Sequence, residues 1–458
     1  MRRTDRLVDA IAIAVLAITA LGAVRIVIFA ATHIPSRYPA VAAAYDIGPA
    51  IVGIVAVASL FMRRDYRAVI ASCIGAAMLA LYVADAALAF APHDNPRHLP
   101  RPAGLRGAWD PRSRLNVVLD FRAQGVPAYY ATERLELDAA YHADRTPGHP
   151  YPLAGIANTF IVYCNEGGAF TTYRSDDHGF NNPPGAWGEQ APDVVLIGDS
   201  FAQGACVDTT ENIAARMRRT RSAISLGVNG NGPLSELGIL REFAAPRRPR
   251  HVVWLYFPGN DFMDFESERA RGFLGQYRAP GFRQSLLSRQ SEVDALMRSY
   301  QDQNIATTAA AQAHPWRGRL RRFLTLRDLR EKAFPMLVPE WDRVGDLPCA
   351  PDRLLQFTDL IAQARSEVEQ WGGRFYFVNL PLWGEEIGTK TCRPARDTLI
   401  QALDRRGIAV IDLQARFSAD SDDRFWQPPH RWTHLTPAGY AFATGVILER
   451  LDHDDGRQ

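Results

Sequence analysis

The sequence has almost no net charge and few cysteines, and each shortage argues against a class of function. Its 52 basic and 50 acidic residues leave a formal charge of +2 over 458 residues, so nucleic acid is not expected as a partner. Only five cysteines are present, and their spacing is not that of a zinc site. We therefore expect no metal and no cofactor. With 47% hydrophobic residues, the composition is typical of a globular chain.

The hydrophobic residues are concentrated near the N-terminus in three long apolar segments. These run over residues 7–31, 44–62 and 68–91, and about twenty apolar residues suffice for a helix to cross a bilayer. The pattern predicts a transmembrane region over residues 1–91 with three helices, of which the second is short. A cleaved signal peptide is the alternative for the first segment, and a buried helical hairpin is the alternative for the other two.

Basic residues set the expected orientation of these segments. Arginines flank the first segment and fill the loop between the second and the third: Arg2, Arg3, Arg6, Arg63, Arg64 and Arg67. Because such clusters face the cytoplasm, an odd number of spans places the rest of the chain in the periplasm of a bacterial cell. We expect a multi-pass protein of the cytoplasmic membrane, with the lipid bilayer as a partner. Arg25 and Asp85 fall within two of the segments, and we hypothesise that they pair.

Five short apolar runs in the second half of the chain predict a parallel sheet. The runs are Asp193–Ile197, Ala223–Leu226, Val252–Phe257, Phe375–Leu380 and Ala409–Leu413. Their separation leaves room for a helix between successive strands, as in βαβ units. We predict an α/β domain with a five-stranded sheet over residues 186–452. The stretch 262–350 has no strand pattern and predicts a helical insertion, either a lid or a substrate-binding subdomain. Its arginines Arg319, Arg321 and Arg322 suggest a solvated helix face or a contact with an acidic polysaccharide.

The remaining segments complete the predicted organisation. A Pro- and Arg-rich composition predicts a linker over residues 92–114. A small β-rich lead-in is expected over residues 115–185, with a strand at Leu115–Phe121 and a hairpin around Gly167 and Gly168. Residues 453–458 are expected to be a disordered tail.

Four short motifs lie at the ends of these elements. Gly198, Asp199 and Ser200 follow the first strand; a second run breaks into glycines at Gly227 and Gly230; the third strand ends at Gly259, Asn260 and Asp261; and His434 precedes a helix opened by Pro437. A serine hydroxyl is a weak nucleophile until a base takes its proton. The tetrahedral oxyanion that it forms needs preorganised donors, such as backbone amides and an asparagine side chain.

This set of motifs resembles that of the SGNH or GDSL hydrolase superfamily over roughly residues 190–450. The resemblance implies a flavodoxin-like, three-layer α/β/α fold and ester hydrolysis through a covalent acyl-enzyme. It implies Ser200 as the nucleophile, His434 as the base, and the Ser200 amide, the Gly230 amide and the Asn260 side chain as oxyanion donors. Gly227 competes with Gly230 for the middle donor, and Asp199 is a secondary candidate.

The sequence departs from the family at the residue that orients the histidine. The family carries an aspartate three residues before it, where this chain has Arg431. Asp422, Asp423 or a backbone carbonyl are the substitutes considered, the last leaving a Ser-His dyad. A second pair, Asp176 and His178, looks like the arrangement in the alginate O-acetylation branch, but Gly179 stands where that motif has a tryptophan, and a polar turn leading into Gly179 is the favoured interpretation.

The predicted function is a membrane-anchored, extracytoplasmic serine hydrolase. Its substrate is expected to be an acyl or acetyl ester of an envelope glycan, a lipid or a small molecule. The alternatives are a polysaccharide O-acetyltransferase of the same fold and a catalytically inactive scaffold or glycan-binding protein. Of the cysteines, Cys349 and Cys392 are the expected disulfide pair, the alternative being four unpaired thiols in the outer domain.

Overall fold

The structure, a computed structural model, divides into two compact units. It describes residues 3–33, 39–89, 109–144, 146–269, 272–330, 332, 351–382, 394–417, 422–427 and 434–456. The first unit, here called the helical unit, comprises Met1–Pro96 and Ala311–Asp346. The second, the sheet unit, comprises Arg97–Ala310 and Leu347–Gln458. Most of the predicted linker lies outside the described residues.

The helical unit begins with three helices, α1 (Arg3–His33), α2 (Pro39–Leu60) and α3 (Arg64–Ala89). Two of them contain stretches long and apolar enough to cross a membrane, Thr4–Ala31 and Arg64–Ala89, whereas the apolar part of α2, Tyr45–Leu60, is shorter. Within the described residues, two of the three predicted helices therefore have the length and hydropathy of a membrane span, and α2, which the sequence predicted to be short, does not reach that length. A signal sequence near the N-terminus would satisfy the same criterion as Thr4–Ala31.

Polar contacts inside the helical unit differ from the expected ones. Arg67 donates to Asp9 at 2.6 Å, which joins the first turn of α3 to the second turn of α1. Asp85 is buried and accepts a hydrogen bond from the Leu329 amide at 2.8 Å, while the Arg25 side chain is exposed. The hypothesis that Arg25 pairs with Asp85 is therefore wrong. The backbone amide of Leu329 bonds one oxygen of the carboxylate, Oδ1, instead.

The sheet unit starts with a mixed α and β segment. Its elements are α4 (Arg114–Ala123), β1 (Ala128–Tyr130), α5 (Arg134–Ala143), β2 (Phe160–Val162) and β3 (Thr172–Arg174). The three strands form one sheet in the order β1-β2-β3, and β2 pairs antiparallel with β3. The hairpin around Gly167 and Gly168 is therefore present.

The expected strand at Leu115–Phe121 is wrong, because these residues form most of α4. Ser113 caps that helix by accepting a hydrogen bond from the Asn116 amide at 3.2 Å. The N-cap outweighs the apolar content of the run, which alone does not separate a buried helix from a strand. The lead-in is thus less β-rich than predicted.

The main sheet has five parallel strands, as predicted. They are β4 (Val194–Ile197), β5 (Ala223–Ser225), β6 (His251–Tyr256), β7 (Arg374–Asn379) and β8 (Ala409–Asp412). The strand order β5-β4-β6-β7-β8 is that of flavodoxin-like folds. Alternate residues enter two different cores: Val195 and Ile197 pack in one, and Val194 and Leu196 in the other. The sheet is therefore covered on both faces, as unbroken apolar strands require.

Helices connect and cover these strands. The early ones are α6 (Ser200–Gln203), α7 (Ile213–Met217), α8 (Pro233–Ile239) and α9 (Asp261–Arg269). Those of the insertion and the C-terminal part are α10 (Gln290–Ala313), α11 (Pro315–Leu324), α12 (Pro351–Gln370), α13 (Arg396–Asp404), α14 (Asp422–Phe425) and α15 (Pro437–Asp455). Part of the insertion belongs to the helical unit, since Ala311–Asp346 falls there.

The C-terminal tail is ordered further than the sequence indicated. Helix α15 continues to Asp455, whose carboxylate lies 2.9 Å from Arg221 and 3.1 Å from Arg374. These ion pairs hold the last turn of the helix against the sheet unit. The predicted disorder of residues 453–458 is therefore wrong for residues 453–455.

Candidate active site

Ser200 is the first residue of α6 and stands where β4 ends. The preceding residue, Asp199, caps the helix, since its Oδ1 accepts a hydrogen bond from the Phe201 amide at 2.9 Å. Asp199 is buried and its pKa is raised, mainly because burial penalises the charged carboxylate. Asp199 therefore shapes the turn, and in this turn the Ser200 hydroxyl points at His434.

His434 lies within hydrogen-bond distance of Ser200. Its Nε2 is 2.8 Å from the Ser200 Oγ. The backbone around the ring is fixed on both sides: the Gln427 amide donates to the His434 carbonyl oxygen at 2.9 Å, and Thr436 caps α15 two residues later. The ring also packs against Phe201, with centroids 5.1 Å apart. The serine motif and the histidine motif, which lie far apart in the sequence, are thus in direct contact in the structure.

Glu166 completes a chain of three side chains that the sequence did not reveal. Its Oε1 lies 2.9 Å from the His434 Nδ1, and its Oε2 accepts a hydrogen bond from the His434 backbone amide at 2.8 Å. A carboxylate at Nδ1 favours the tautomer with a proton there, which leaves Nε2 free to accept the serine proton. Glu166 therefore occupies the role that the family gives to an aspartate three residues before the histidine.

Two aspartates were alternatives for orienting the ring, Asp422 and Asp423. Their side chains, and Arg431, lie outside the described residues. Glu166 comes instead from the turn between β2 and β3, more than 260 residues before its partner histidine in the chain. Sequence spacing carries no signal for a contact of that separation.

A disulfide between Cys164 and Cys206 ties the Glu166 turn to the serine segment. The Cα atoms are 5.3 Å apart, and the bond closes a separation of 42 residues. Cys164 is two residues before Glu166, and Cys206 is six residues after Ser200. The alternative of four unpaired thiols is therefore wrong, while the predicted pair, Cys349 and Cys392, lies outside the described residues. A predicted disulfide between Cys164 and Cys206 would have placed Glu166 near Ser200, and these cysteines are therefore the signal in the sequence that could have revealed it.

Glu166 also raises the pKa of the histidine. Burial alone would lower the pKa of His434, because it penalises the imidazolium. The charge of Glu166 and its hydrogen bond to the ring outweigh that penalty, with a smaller contribution from Asp199, so the pKa of His434 is raised. The surroundings of His434 therefore favour the charged imidazolium form of its ring.

The structure distinguishes the two glycines proposed as the middle oxyanion donor. The Gly227 amide donates to the Ser225 hydroxyl at 3.2 Å, and a Cβ on Gly227 would lie 2.1 Å from the Gln203 backbone nitrogen. Gly230 has a φ of +71°, and a Cβ there would meet nothing within 4 Å. Gly227 thus serves close packing, whereas Gly230 lies beside open space.

Asn260 lies at the same end of the sheet and is held by carboxylates. Its Nδ2 donates to the Asp264 Oδ2 at 3.0 Å and, at the longer distance of 3.4 Å, to the Asp199 Oδ2. Burial raises the pKa of Asp264 to about 7, even though the charge of Arg134 opposes the shift. The side-chain amide of Asn260 is therefore fixed in direction before any substrate is bound.

The other candidate pair, Asp176 and His178, is not brought to Ser200. Asp176 is buried and accepts hydrogen bonds from the His178 and Phe180 amides, at 2.9 and 3.0 Å, and from the Trp187 ring nitrogen at 2.7 Å. Its pKa is raised by burial. The His178 ring packs edge-on against Trp187. Both residues therefore organise a buried turn.

Glu166, Cys206 and His434 lie close enough together to resemble a set of metal ligands. The Cys206 sulfur, however, is bonded to Cys164 and cannot act as a thiolate. The two remaining side chains are bonded to one another, and the histidine also contacts Ser200. These atoms fit a proton-transfer chain better than a metal site.

Comparison with known proteins shows the family of the chain. The model of the GDSL-like Lipase/Acylhydrolase family matches residues 196–442. Among solved structures, the crystal structure of an acetyl xylan esterase, AlAXEase, matches with a TM-score of 0.32 and 10% sequence identity, over 56% of this chain and 98% of that one. No curated protein matches the chain. The family match begins in β4 and ends in α15, so it spans the strands and helices that carry Ser200, Asn260 and His434.

Proposed function

Since the chain belongs to the GDSL-like Lipase/Acylhydrolase family and is a hydrolase acting on esters, we propose that it works through a Ser200–His434–Glu166 triad. The observation that carries the proposal is the continuous contact from Ser200 Oγ through both ring nitrogens of His434 to Glu166, at 2.8 and 2.9 Å. Such a contact is the geometry that an activated serine requires.

In the first half of the reaction the Ser200 oxygen attacks the ester carbonyl while the His434 Nε2 takes the hydroxyl proton. Glu166 stabilises the resulting imidazolium and keeps the ring in place. The negative charge on the former carbonyl oxygen is met by the Ser200 and Gly230 amides and by the Asn260 side chain, whose N–H on the longer, 3.4 Å contact to Asp199 turns to the oxyanion. Collapse of the intermediate breaks the ester C–O bond, and His434 returns the proton to the departing alcohol.

In the second half, a water molecule takes the place of the alcohol. His434 removes a proton from the water as its oxygen attacks the acyl-enzyme, and the proton returns to the Ser200 oxygen when the carboxylic acid leaves. An acceptor hydroxyl in place of water would give transfer instead of hydrolysis. The O-acetyltransferase alternative therefore shares every residue of this site, whereas the scaffold alternative has no use for the three-residue contact.

We further propose that the enzyme is anchored in the cytoplasmic membrane with its sheet unit in the periplasm, which requires the shorter apolar helix α2 to cross the membrane between the two longer spans. The spans Thr4–Ala31 and Arg64–Ala89 leave most of their apolar side chains exposed within the described chain, and lipid would cover them. The disulfide between Cys164 and Cys206 suits an oxidising compartment. An ester on an envelope glycan or a membrane lipid is the substrate class within reach of such an enzyme.

The test is covalent labelling of the full chain with a fluorophosphonate probe, together with hydrolysis of para-nitrophenyl acetate. Wild type should label and turn over, and Ser200→Ala and His434→Ala should do neither. His178→Ala is the matched control and should behave as wild type. Labelling that persists in His434→Ala but disappears in His178→Ala would overturn the proposal in favour of the other histidine. No labelling of folded wild type would favour the scaffold alternative.

A further inference from the structure

Helix α11 has an apolar side and a basic side, and both are exposed within the described chain. The apolar side chains recur with the spacing of one helix face and are between 41% and 59% exposed: Trp316, Leu320, Phe323 and Leu324. Exposed arginines occupy the remaining circumference: Arg317, Arg319 and Arg321. No residue of the helix is buried. A helix of this kind needs another surface to cover its apolar side.

The helix lies against the end of α3 within the helical unit. The Phe323 and Tyr82 rings are 5.0 Å apart, and the Tyr82 hydroxyl donates to the Leu324 carbonyl oxygen at 3.3 Å. Tyr82 stands about 27 Å along α3 from Arg64, at 1.5 Å per residue. Because the hydrocarbon core of a bilayer is about 30 Å thick, a bilayer that begins at the first turn of α3 would end near Tyr82.

Contacts that follow α11 fix the same neighbourhood. The Leu329 amide donates to Asp85, and the Arg330 guanidinium donates to the Tyr45 hydroxyl at 2.7 Å. Asp85 and Tyr45 lie toward the ends of α3 and α2 that are remote from the Asp9–Arg67 pair. Residues 315–330 are thus joined to two different helices at one end of the helical unit.

We propose that α11 lies in the membrane–water interface, with its apolar side toward the acyl chains and Arg317, Arg319 and Arg321 on anionic phospholipid headgroups. Amphipathic helices with aromatic and leucine side chains opposite arginines bind such surfaces. By the proposed orientation this is the periplasmic face of the membrane, where the arginines would pair with the phosphates of anionic headgroups. The inference rests on the proposed membrane anchoring. It assigns part of the insertion to the membrane surface, where the sequence had suggested a lid or an acidic polysaccharide site.

The test uses the full chain in nanodiscs that contain a brominated phosphatidylcholine, with and without phosphatidylglycerol. Bromine quenches tryptophan only at close range, so the difference in quenching between wild type and Trp316→Phe reports whether Trp316 contacts lipid. We expect a clear Trp316-dependent signal that increases with phosphatidylglycerol. The triple variant Arg317→Gln, Arg319→Gln and Arg321→Gln should lose most of that increase. A matched triple variant of exposed arginines in the sheet unit, Arg219→Gln, Arg278→Gln and Arg405→Gln, should keep it.

The other outcomes separate this inference from the proposed anchoring. If the chain enters nanodiscs but Trp316 is not quenched, the anchoring stands and the placement of α11 is overturned. If quenching does not depend on phosphatidylglycerol, the role of the arginines is overturned. Retention of the wild type, but not of the arginine variant, on an acidic polysaccharide without quenching would assign the basic side to a glycan. A chain that stays outside nanodiscs overturns both proposals.

A second and independent observation concerns Arg134, the first residue of α5, which is 4% exposed. Its Nε donates to the Gly230 carbonyl oxygen at 2.7 Å, and its Nη2 donates to the Asp264 Oδ1 at 3.3 Å. The other oxygen of Asp264 holds Asn260. One guanidinium therefore connects the two loops that present Gly230 and Asn260.

We infer that Arg134 is a positioning residue for the oxyanion donors, acting through Gly230 and through Asp264. Only the planar fork of an arginine reaches both acceptors in fixed directions, so lysine is not an equivalent replacement. The backbone adds a third point, because the Arg134 amide donates to the Asn229 carbonyl oxygen at 2.9 Å. The inference rests on the proposed roles of Gly230 and Asn260.

The test is a double-mutant cycle in kcat/KM between Arg134→Lys and Asn260→Ala. If Arg134 acts through the donors, the double variant should be little worse than Asn260→Ala alone, and the loss in Arg134→Lys should fall on kcat more than on KM. Fully additive losses would overturn the inference. Asp264→Asn, which keeps the shape of the link but removes its charge, serves where Arg134→Lys does not fold, and it should be equally non-additive with Asn260→Ala. If Asn260→Ala labels and turns over like wild type, the assignment of the donor fails while the triad stands.

Discussion

The loops at the end of the main sheet and the segment over residues 115–185 serve the same site differently. The sheet loops present Ser200, Gly230 and Asn260, each just after a strand. The earlier segment presents Glu166 and Arg134, which contact His434 and the Gly230 loop. The groups proposed to meet the substrate therefore come from the sheet, and the groups proposed to orient them come from outside it. A complete set of family motifs therefore need not include the residues that hold the motif side chains in place.

The largest expected effect comes from removing the orienting charge. Glu166→Gln should lower kcat by about 10⁴-fold, as loss of the acid does in a serine triad, because the favoured tautomer and the stabilisation of the imidazolium are both lost. Steady-state hydrolysis of para-nitrophenyl acetate measures this. Asp177→Asn, an exposed carboxylate of the same segment that bonds Asn158, should leave kcat unchanged. A loss of only a few fold in Glu166→Gln would mean that a Ser200–His434 dyad suffices.

Two glycines in the loops of the main sheet, Gly227 and Gly230, are expected to respond differently to substitution. Gly227→Ala should destabilise the fold severely, because the new Cβ would overlap the Gln203 backbone nitrogen. Gly230→Ala meets open space but a φ of +71°, a conformation that costs roughly 1–2 kcal/mol for a non-glycine residue. We therefore expect Gly230→Ala to fold with a modestly lower Tm. Because alanine keeps the backbone amide, kcat should fall only as far as the loop turns that amide away to relieve the positive φ. Thermal unfolding and kinetics of both variants measure this, and a wild-type Tm in Gly227→Ala or a severe loss of stability in Gly230→Ala would contradict the comparison.

The disulfide offers a way to break the connection between the two regions. Cys164→Ser with Cys206→Ser should lower the free energy of unfolding by about 2–4 kcal/mol, as loss of a native disulfide typically does. It should also lower kcat, because the Glu166 turn is no longer tied to the serine segment. Mild reduction of the wild type should have the same effect, reversibly. Cys73→Ser is the control, since Cys73 is a free cysteine on α3, and unchanged kcat in the double variant would show that Glu166 needs no tether.

The fold and the sheet side of the site were predictable from local sequence, and the reasons are visible in particular residues. Unbroken apolar runs such as Val194–Ile197 are strands buried on both faces, and the polar turns after them fall at one edge of a parallel sheet. The five strands and the helices between them followed from that pattern. The family, and with it Ser200 and His434, followed from the resemblance of the four motifs, and the structure places these two residues 2.8 Å apart.

The orienting residues were not predictable, because their positions depend on tertiary contacts. Glu166 stands in an ordinary hairpin turn. Nothing in its local sequence distinguishes it from Glu133, which pairs with Arg114 at 3.2 Å and not with His434. Arg134 lies in a segment for which β structure was expected, and it opens a helix instead. Short apolar runs do not separate helix from strand without their caps, which is also why Leu115–Phe121 was misassigned.

The smallest effect, and the most specific to the Glu166–His434 contact, is a shift in pH dependence. His434 must be neutral to accept the serine proton, so activity rises as the pH passes the pKa of His434. Glu166 holds that pKa above its ordinary value despite burial, and therefore Glu166→Gln should move the acid limb of the rate of fluorophosphonate labelling to lower pH. The Asp177→Asn profile should match that of wild type. An acid limb that stays in place, in a Glu166→Gln variant that still labels, would mean that the charge of Glu166 does not reach the base. The contact between the two regions would then serve to orient the ring without changing its protonation.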